Sequence, residues 1–245
     1  MIRFATAIAA VLMATTAVAS AAEKQTVLIV GAGQSGKPLI KVLVDKGYNV
    51  RVSSRQTADF GPGTTAVVAD VTKPATLPDA LKGVDYVIST IGSNAPEGNN
   101  RPEDVDYKGV ANLVDAAKAA KVKQFVLMSA LGAGDTNPET FLNKRFGMVQ
   151  MWKGKGEEHL RKSGVPYTIV RPGGLKNCDA GKTDITFSGD PALKGAAICR
   201  ADVGLAMAAA LGNPQALHKT VGVVANEGVA PSDPAKKFAA ISPDP

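Results

Sequence analysis

From residue 26 onward, short apolar runs alternate with stretches of helical periodicity. Thr26-Val27-Leu28-Ile29-Val30 is a strand-like run that ends at Gly31. Leu39, Ile40, Leu43 and Val44 then recur at i, i+1, i+4 and i+5, which predicts a helix closing at Gly47. Strands are predicted at Asn49 to Ser53 and Ala66 to Ala69, with a short helix around Leu77 and Leu81. A fourth strand covers Asp85 to Thr90, a helix Val105 to Ala120, and a fifth strand Phe125 to Ser129. A long helix from about Leu142 to Arg161 leads to a sixth strand at Tyr167 to Arg171. Beyond residue 172 the rhythm loosens into a Gly-, Lys- and Asp-containing stretch. A helix near Ala201 to Leu211, a strand near Thr220 to Ala225 and a Pro-rich tail follow.

Most of these strands are apolar throughout, as parallel strands covered on both faces should be. Alternation with helices and right-handed crossovers predicts an α/β fold: one domain on a Rossmann-type, doubly wound parallel sheet. The length of 245 residues fits one large domain, here expected over 23–230, with 231–245 as a C-terminal tail. Residues 1–22 have a different character. Met1-Ile2-Arg3 carries one charge, an uncharged Ala-rich run follows, and Ala17-Val18-Ala19-Ser20-Ala21-Ala22 offers small-residue cleavage sites. This is the pattern of a secretory signal peptide and predicts export, to a periplasm, with no membrane insertion after cleavage. Should the leader not act as one, the protein is cytoplasmic.

Composition narrows the function further. The 45% hydrophobic content excludes a disordered chain, and two cysteines exclude a disulfide-rich scaffold. The net charge of +6 comes from charges scattered along the chain, and aromatics make up only 5%. That supports an affinity for small anions and gives no basis for a nucleic-acid partner. His159 and His218 lack ligand spacing and read as surface or packing residues, so no metal is expected. No Gly-x-Ser-x-Gly elbow occurs, which argues against a hydrolase. Trp152 reads as a core residue.

Gly31-Ala32-Gly33-Gln34-Ser35-Gly36 joins the first strand to the first helix with the spacing G-x-G-x-x-G. The first glycine permits the turn, the second lets a diphosphate approach the backbone, and the third lets helix and strand pack closely. Gly31, Gly33, Gln34, Ser35 and Gly36 are therefore expected to hold a dinucleotide on the free amides of the helix start. A triphosphate P-loop would need Ser or Thr after Gly36-Lys37, and Pro38 stands there. The second strand ends without the acid that accepts hydrogen bonds from an NAD ribose. It ends in Ser54-Arg55, and a guanidinium there suits a 2′-phosphate, so NADP(H) is expected over NAD. Asp70 and Val71 should flank the adenine.

The chain resembles the atypical short-chain dehydrogenases/reductases with an NAD(P)H-binding domain. Within them it is most like the branch containing the redox-responsive chloroplast import subunit's domain and its bacterial relatives. The matching stretches are Val105-Asp106-Tyr107-Lys108-Gly109 through Ala117, Phe125 to Ser129, Met151 to Glu158, Ser163 to Leu175, and Arg200-Ala201-Asp202-Val203. The resemblance implies that Ser129 is the active-site serine and Lys153 the lysine that holds the nicotinamide ribose. It implies that Thr90, Ile91 and Gly92 line the cofactor backbone and that Pro172, Gly173 and Gly174 border the nicotinamide. Four residues before Lys153, where the family's proton-donating tyrosine stands, is Val149. Two functions follow: an oxidoreductase acting on a small substrate, or a non-catalytic dinucleotide-binding sensor that docks a protein partner.

Cys178 and Cys199 flank the loosened stretch on the substrate side. Export would permit a bridge between them, with about 3 kcal/mol from closing a loop of about 21 residues; two buried thiols are the alternative. Export also separates the protein from the usual dinucleotide pools. Either the cofactor is bound beforehand, the fold serves another ligand, or the leader is not a leader.

Overall fold

The computed structural model describes residues 24–93, 95–193 and 197–245, and the leader lies outside them. Eight strands form one sheet. In chain order they are β1 (Thr26–Val30), β2 (Asn49–Ser54), β3 (Thr64–Val68), β4 (Tyr86–Ser89), β5 (Gln124–Met128), β6 (Tyr167–Pro172), β8 (Asp184–Ser188) and β10 (Lys219–Asn226). Their spatial order is β3-β2-β1-β4-β5-β6-β10-β8. All pairs are parallel except β10 with the edge strand β8. Two short strands, β7 (Leu175–Lys176) and β9 (Ile198–Cys199), pair separately at the carboxyl end of β6.

The double winding is visible in β1. Val27 and Ile29 pack into the layer containing α1 (Gly36–Asp45) and α6 (Arg200–Ala210). Leu28 and Val30 enter the opposite layer, with α2 (Leu77–Leu81), α3 (Val110–Ala119) and α5 (Val149–Lys162). A strand with both faces buried must be apolar at every position, which is why these runs do not alternate. The chain reverses from β1 to β4 on one side and β2 on the other. The crevice at this switch lies outside the carboxyl ends of the strands, where ligands of such sheets bind.

Three elements differ from the sequence pattern. The helix predicted over 142–161 is two helices, α4 (Phe141–Arg145) and α5, separated at Gly147 and Met148, whose φ values are +59° and +61°. A Cβ on Gly147 would sit 2.5 Å from the Pro96 carbonyl oxygen, so the break lets the chain pass the loop after β4. The helix predicted from Val105 opens as a π-helical stretch, Glu103–Gly109. The loosened region contains β8, whose partner β10 is far along the chain.

The final fifteen residues are bonded to the sheet. α7 (Pro234–Lys237) leads to Phe238, which is fully buried. The Asp244 carboxylate accepts from Tyr167 Oη at 2.9 Å, Arg161 Nε at 3.1 Å and the Thr220 amide at 2.9 Å. Asp184 on β8 accepts from Lys237 Nζ at 2.7 Å and from the Ser232 hydroxyl at 2.9 Å. The Lys237 bond, helped by Ser232, holds its carboxyl down at about 2 against an ordinary 3.8. A depressed carboxylate stabilises the fold above its ordinary value and loses that contribution as pH falls through the folded-state value. Asp184→Asn should therefore melt a few degrees below the native protein at pH 7. Thermal melts should converge as pH approaches 2, and a deficit that stays constant with pH contradicts this role.

Candidate functional site

A cavity of about 900 Å³ runs along the carboxyl ends of β2, β1, β4, β5 and β6. Its shape is set by crowding at the first turn. Gly31 has φ +99°, and a Cβ there would lie 2.8 Å from the Ile91 amide nitrogen. A Cβ on Gly36 would lie 2.4 Å from the Gly31 carbonyl oxygen. The Thr90 hydroxyl donates to that same oxygen at 2.5 Å. A Cβ on Gly33, by contrast, meets no protein atom within 4 Å. The outer glycines are demanded by the protein's own packing, and the middle one keeps backbone bare beside open space.

Most residues named from the sequence come together on this cavity. Gly31, Gly33, Gln34 and Ser35 line it beside β1. Thr90, Ile91 and Gly92 line it after β4, and Ser54, Arg55, Asp70 and Val71 line it at the β2 end. Ser129, Lys153, Pro172 and Gly173 line the β5 and β6 end. Gly36 and Gly174 do not line it: Gly36 is taken up by its contact with Gly31, and the Cβ direction of Gly174 faces Ala197 at 3.8 Å. Val149 starts α5 and is not on the cavity wall. Trp152 is not a core residue; it stacks on Tyr107 at 5.9 Å, with Lys155 4.5 Å above its ring. His159 bonds Asp115 at the surface, and His218 packs edge-on against Tyr167.

At the β5 end, Ser129 is 4% exposed, and its Oγ is one of two buried side-chain oxygens without a hydrogen-bond partner among the described residues. A buried hydroxyl left unpaired costs free energy unless something supplies a partner. On the same cavity, Lys153 Nζ donates to Asp106 Oδ1 at 2.7 Å and lies 3.7 Å from the Cβ direction of Gly92. The Asp106 side chain is fully buried, and its second oxygen accepts from the Ser93 amide at 3.0 Å. Asp106 thus fixes the ammonium while leaving it two further donors. It sits within the π-helical stretch, a distortion often found at functional sites. Sequence reasoning missed its role, although Asp106 falls inside a stretch matching the family.

At the β2 end, Arg55 Nη1 donates to Asn100 Oδ1 at 3.2 Å. Beyond it lies a second recess of about 640 Å³ shared by Ser54, Arg55, Asp70 and Lys73. Asp70 accepts from the Thr72 hydroxyl and amide, at 2.7 and 2.9 Å. These bonds and the neighbouring Lys73 and Arg55 charges outweigh its partial burial and hold its carboxyl below the usual range. Lys73, also missed in the sequence, adds a second cation beside Arg55. The Cys178–Cys199 pair is bridged, with Cα atoms 5.4 Å apart.

The model of the NAD(P)H-binding family matches residues 31–214. The chain belongs to the atypical short-chain dehydrogenases/reductases. It is 33% identical over 240 residues to protein TIC 62, chloroplastic, from Pisum sativum, covering 86% of this chain and 45% of the relative. It is 32% identical over 237 residues to sanguinarine reductase from Eschscholzia californica, covering 79% of this chain and 86% of the relative. The chain thus spans less than half the length of the pea relative. Among solved structures, the oxidoreductase ylbE from Lactococcus lactis superposes with a TM-score of 0.74, covering 88% of this chain and 96% of that one. At 22% identity this likeness is one of fold. The family supplies the ligand class for the cavity: a nicotinamide dinucleotide. The bare backbone at Gly33 and the free amides before α1 fit its diphosphate.

Two substitutions separate packing from binding at this turn. The Cβ of Gly33→Val meets no protein atom within 4 Å, so the variant should keep the native melting temperature while weakening dinucleotide binding by about a hundredfold or more, as a side chain fills the diphosphate position. Gly36→Ala should lower the melting temperature itself. Titration of NADPH fluorescence alongside thermal melts checks both, and undiminished binding by Gly33→Val contradicts the assignment.

Proposed function

We propose that this chain is an NADP(H)-dependent oxidoreductase that reduces a small carbonyl-type substrate. The observation that carries the reading is the buried Ser129 hydroxyl, without a hydrogen-bond partner among the described residues, on the same cavity as an ammonium held by Asp106. When bound, the cofactor supplies or accepts a hydride. Ser129 offers a hydrogen bond to the substrate oxygen, and its burial keeps water from competing for that role. Lys153 uses one donor on Asp106 and turns the others towards the ribose and the substrate oxygen. With Val149 where a tyrosine would stand, the proton must come from the ammonium or from water at that oxygen. The 32% identity to sanguinarine reductase favours this class of chemistry.

NADP(H) is preferred over NAD on the strength of Arg55, with the Ser54 hydroxyl engaged on the Gln56 carbonyl and Lys73 across the same recess. Charge-assisted pairing with a 2′-phosphate favours a cation at the end of β2 and no acid on that strand, and Ser54-Arg55 supports this reading. Asp70 and Val71 would flank the adenine. Thr90, Ile91 and Gly92 would line the cofactor backbone, with Pro172 and Gly173 beside the nicotinamide. Residues 1–22 are read as an export leader, 23–230 as the binding domain and 231–245 as its tail, which puts the mature protein in a periplasm.

A second reading has one observation in its favour: Val149 cannot deliver a proton. On that reading the chain binds the dinucleotide without turnover and presents its redox state to a protein partner.

NADPH oxidation across a panel of aldehydes, ketones and quinones tests the first reading. Ser129→Ala should leave the Kd for NADPH within about threefold and lower turnover by about 10²-fold. Asp106→Asn with Lys153→Met, which removes the buried pair together, should lower turnover without the cost of an orphaned buried charge. No oxidation of NADPH with any member of the panel, together with tight NADPH binding, would favour the sensor. Arg55→Gln should bring the NADPH and NADH affinities close together; an unchanged ratio contradicts NADP preference.

A further inference from the structure

One charged side chain on the cavity wall has no part in the reading above. Arg200, the first residue of α6, lines the β6 end. Its Nη1 donates to Asn177 Oδ1 at 2.9 Å and to the Leu175 carbonyl at 3.4 Å. Both acceptors are neutral, and among the described residues the guanidinium forms no ion pair. The other cation at this end, Lys153, is matched by Asp106. Arg200 therefore leaves one uncompensated positive charge facing the cavity, on a group that cannot lose its proton and has donors to spare.

Arg200 and its acceptor Asn177 each adjoin one half of a covalent crosslink. Lys176 and Cys199 are opposite one another in the β7–β9 pair, and Cys178 and Cys199 are bridged. The acceptor Asn177 immediately precedes one half-cystine, and Arg200 immediately follows the other. A ladder of two-residue strands is too short to hold its own register, so the bridge supplies the constraint. α6 also packs along α1, with the Cβ direction of Gly204 3.7 Å from the Leu39 backbone, which starts both helices at the same rim. We propose that Arg200 is an oxyanion anchor of the cleft, held in its binding position by the Cys178–Cys199 disulfide. The oxyanion is either the cofactor's diphosphate or a carboxylate on the second substrate. This inference rests on the cleft being a dinucleotide site.

The test uses the oxidised full chain and three probes: NADPH, ADP-ribose, and benzoate added to NADPH-saturated protein. Arg200→Gln should weaken at least one by about tenfold, the loss of one charge-assisted hydrogen bond. Loss of NADPH and ADP-ribose binding assigns the anion to the diphosphate; loss of benzoate alone assigns it to the second substrate. Unchanged affinity for all three overturns the anchor. In the second arm, dithiothreitol donates two electrons and two protons to the S–S bond, leaving two thiols and closing into its own cyclic disulfide. The reduced protein should lose affinity for the same probe as Arg200→Gln while its far-ultraviolet circular dichroism stays unchanged, and Cys178→Ser should do the same. Reduced protein that binds like oxidised protein overturns the role of the bridge. Oxidised native protein that binds neither NADPH nor NADH removes the dinucleotide site itself, an outcome distinct from a failure of Arg200 alone.

Discussion

The geometry of this protein depends on one place where backbone touches backbone. The end of β1, the start of α1 and the segment after β4 converge so closely that neither Gly31 nor Gly36 could carry a side chain. That crowding brings the free amides of α1 to the crevice where the sheet changes direction. It also leaves the backbone at Gly33 uncovered beside open space. A diphosphate needs both conditions, amides pointing outward and no carbon in the way. The eight-stranded sheet holds the three segments rigidly enough to maintain them.

Electrostatics divide the crevice into two ends. Near β2, Arg55 and Lys73 surround Asp70, so a ligand there meets a net positive recess. Near β5, Lys153 is neutralised by a buried aspartate, and positioning matters more than charge. Burying Asp106 without Lys153 would be costly, and the pair has the form of a fixed positioning device rather than a source of stability. Arg200, without an ion pair among the described residues, adds a positive charge at the β6 end. The edge of the sheet and the tail are clasped by Asp184 and Asp244, away from the chemistry.

The strands were readable because burial on both faces leaves few residue types available. β1, β2, β4, β5 and β6 fall within a residue or two of the runs that announce them. The glycine turn was readable because it combines a fixed spacing with a strand before and a helix after. What could not be read depends on partners distant in the chain. Gly147 breaks a helix because Pro96 passes it, and no local pattern contains that contact. The π-helical stretch changes which carbonyl each amide finds, a difference that hydrophobic periodicity does not encode. Asp106 acquires its role from a lysine 47 residues away, and Lys73 from its proximity to Arg55. The edge strand β8 is only partly buried and is surrounded by Gly, Lys and Asp, so its pattern was lost among loop residues.

A crystal structure of the full chain grown with saturating NADPH tests the central claim most directly. The diphosphate should lie on the amides from Gly33 to Gly36, the 2′-phosphate against Arg55, and the nicotinamide between Ser129 and Gly173. A cofactor bound elsewhere, or a crevice left empty at saturation, would contradict it and reduce the likeness to shape alone.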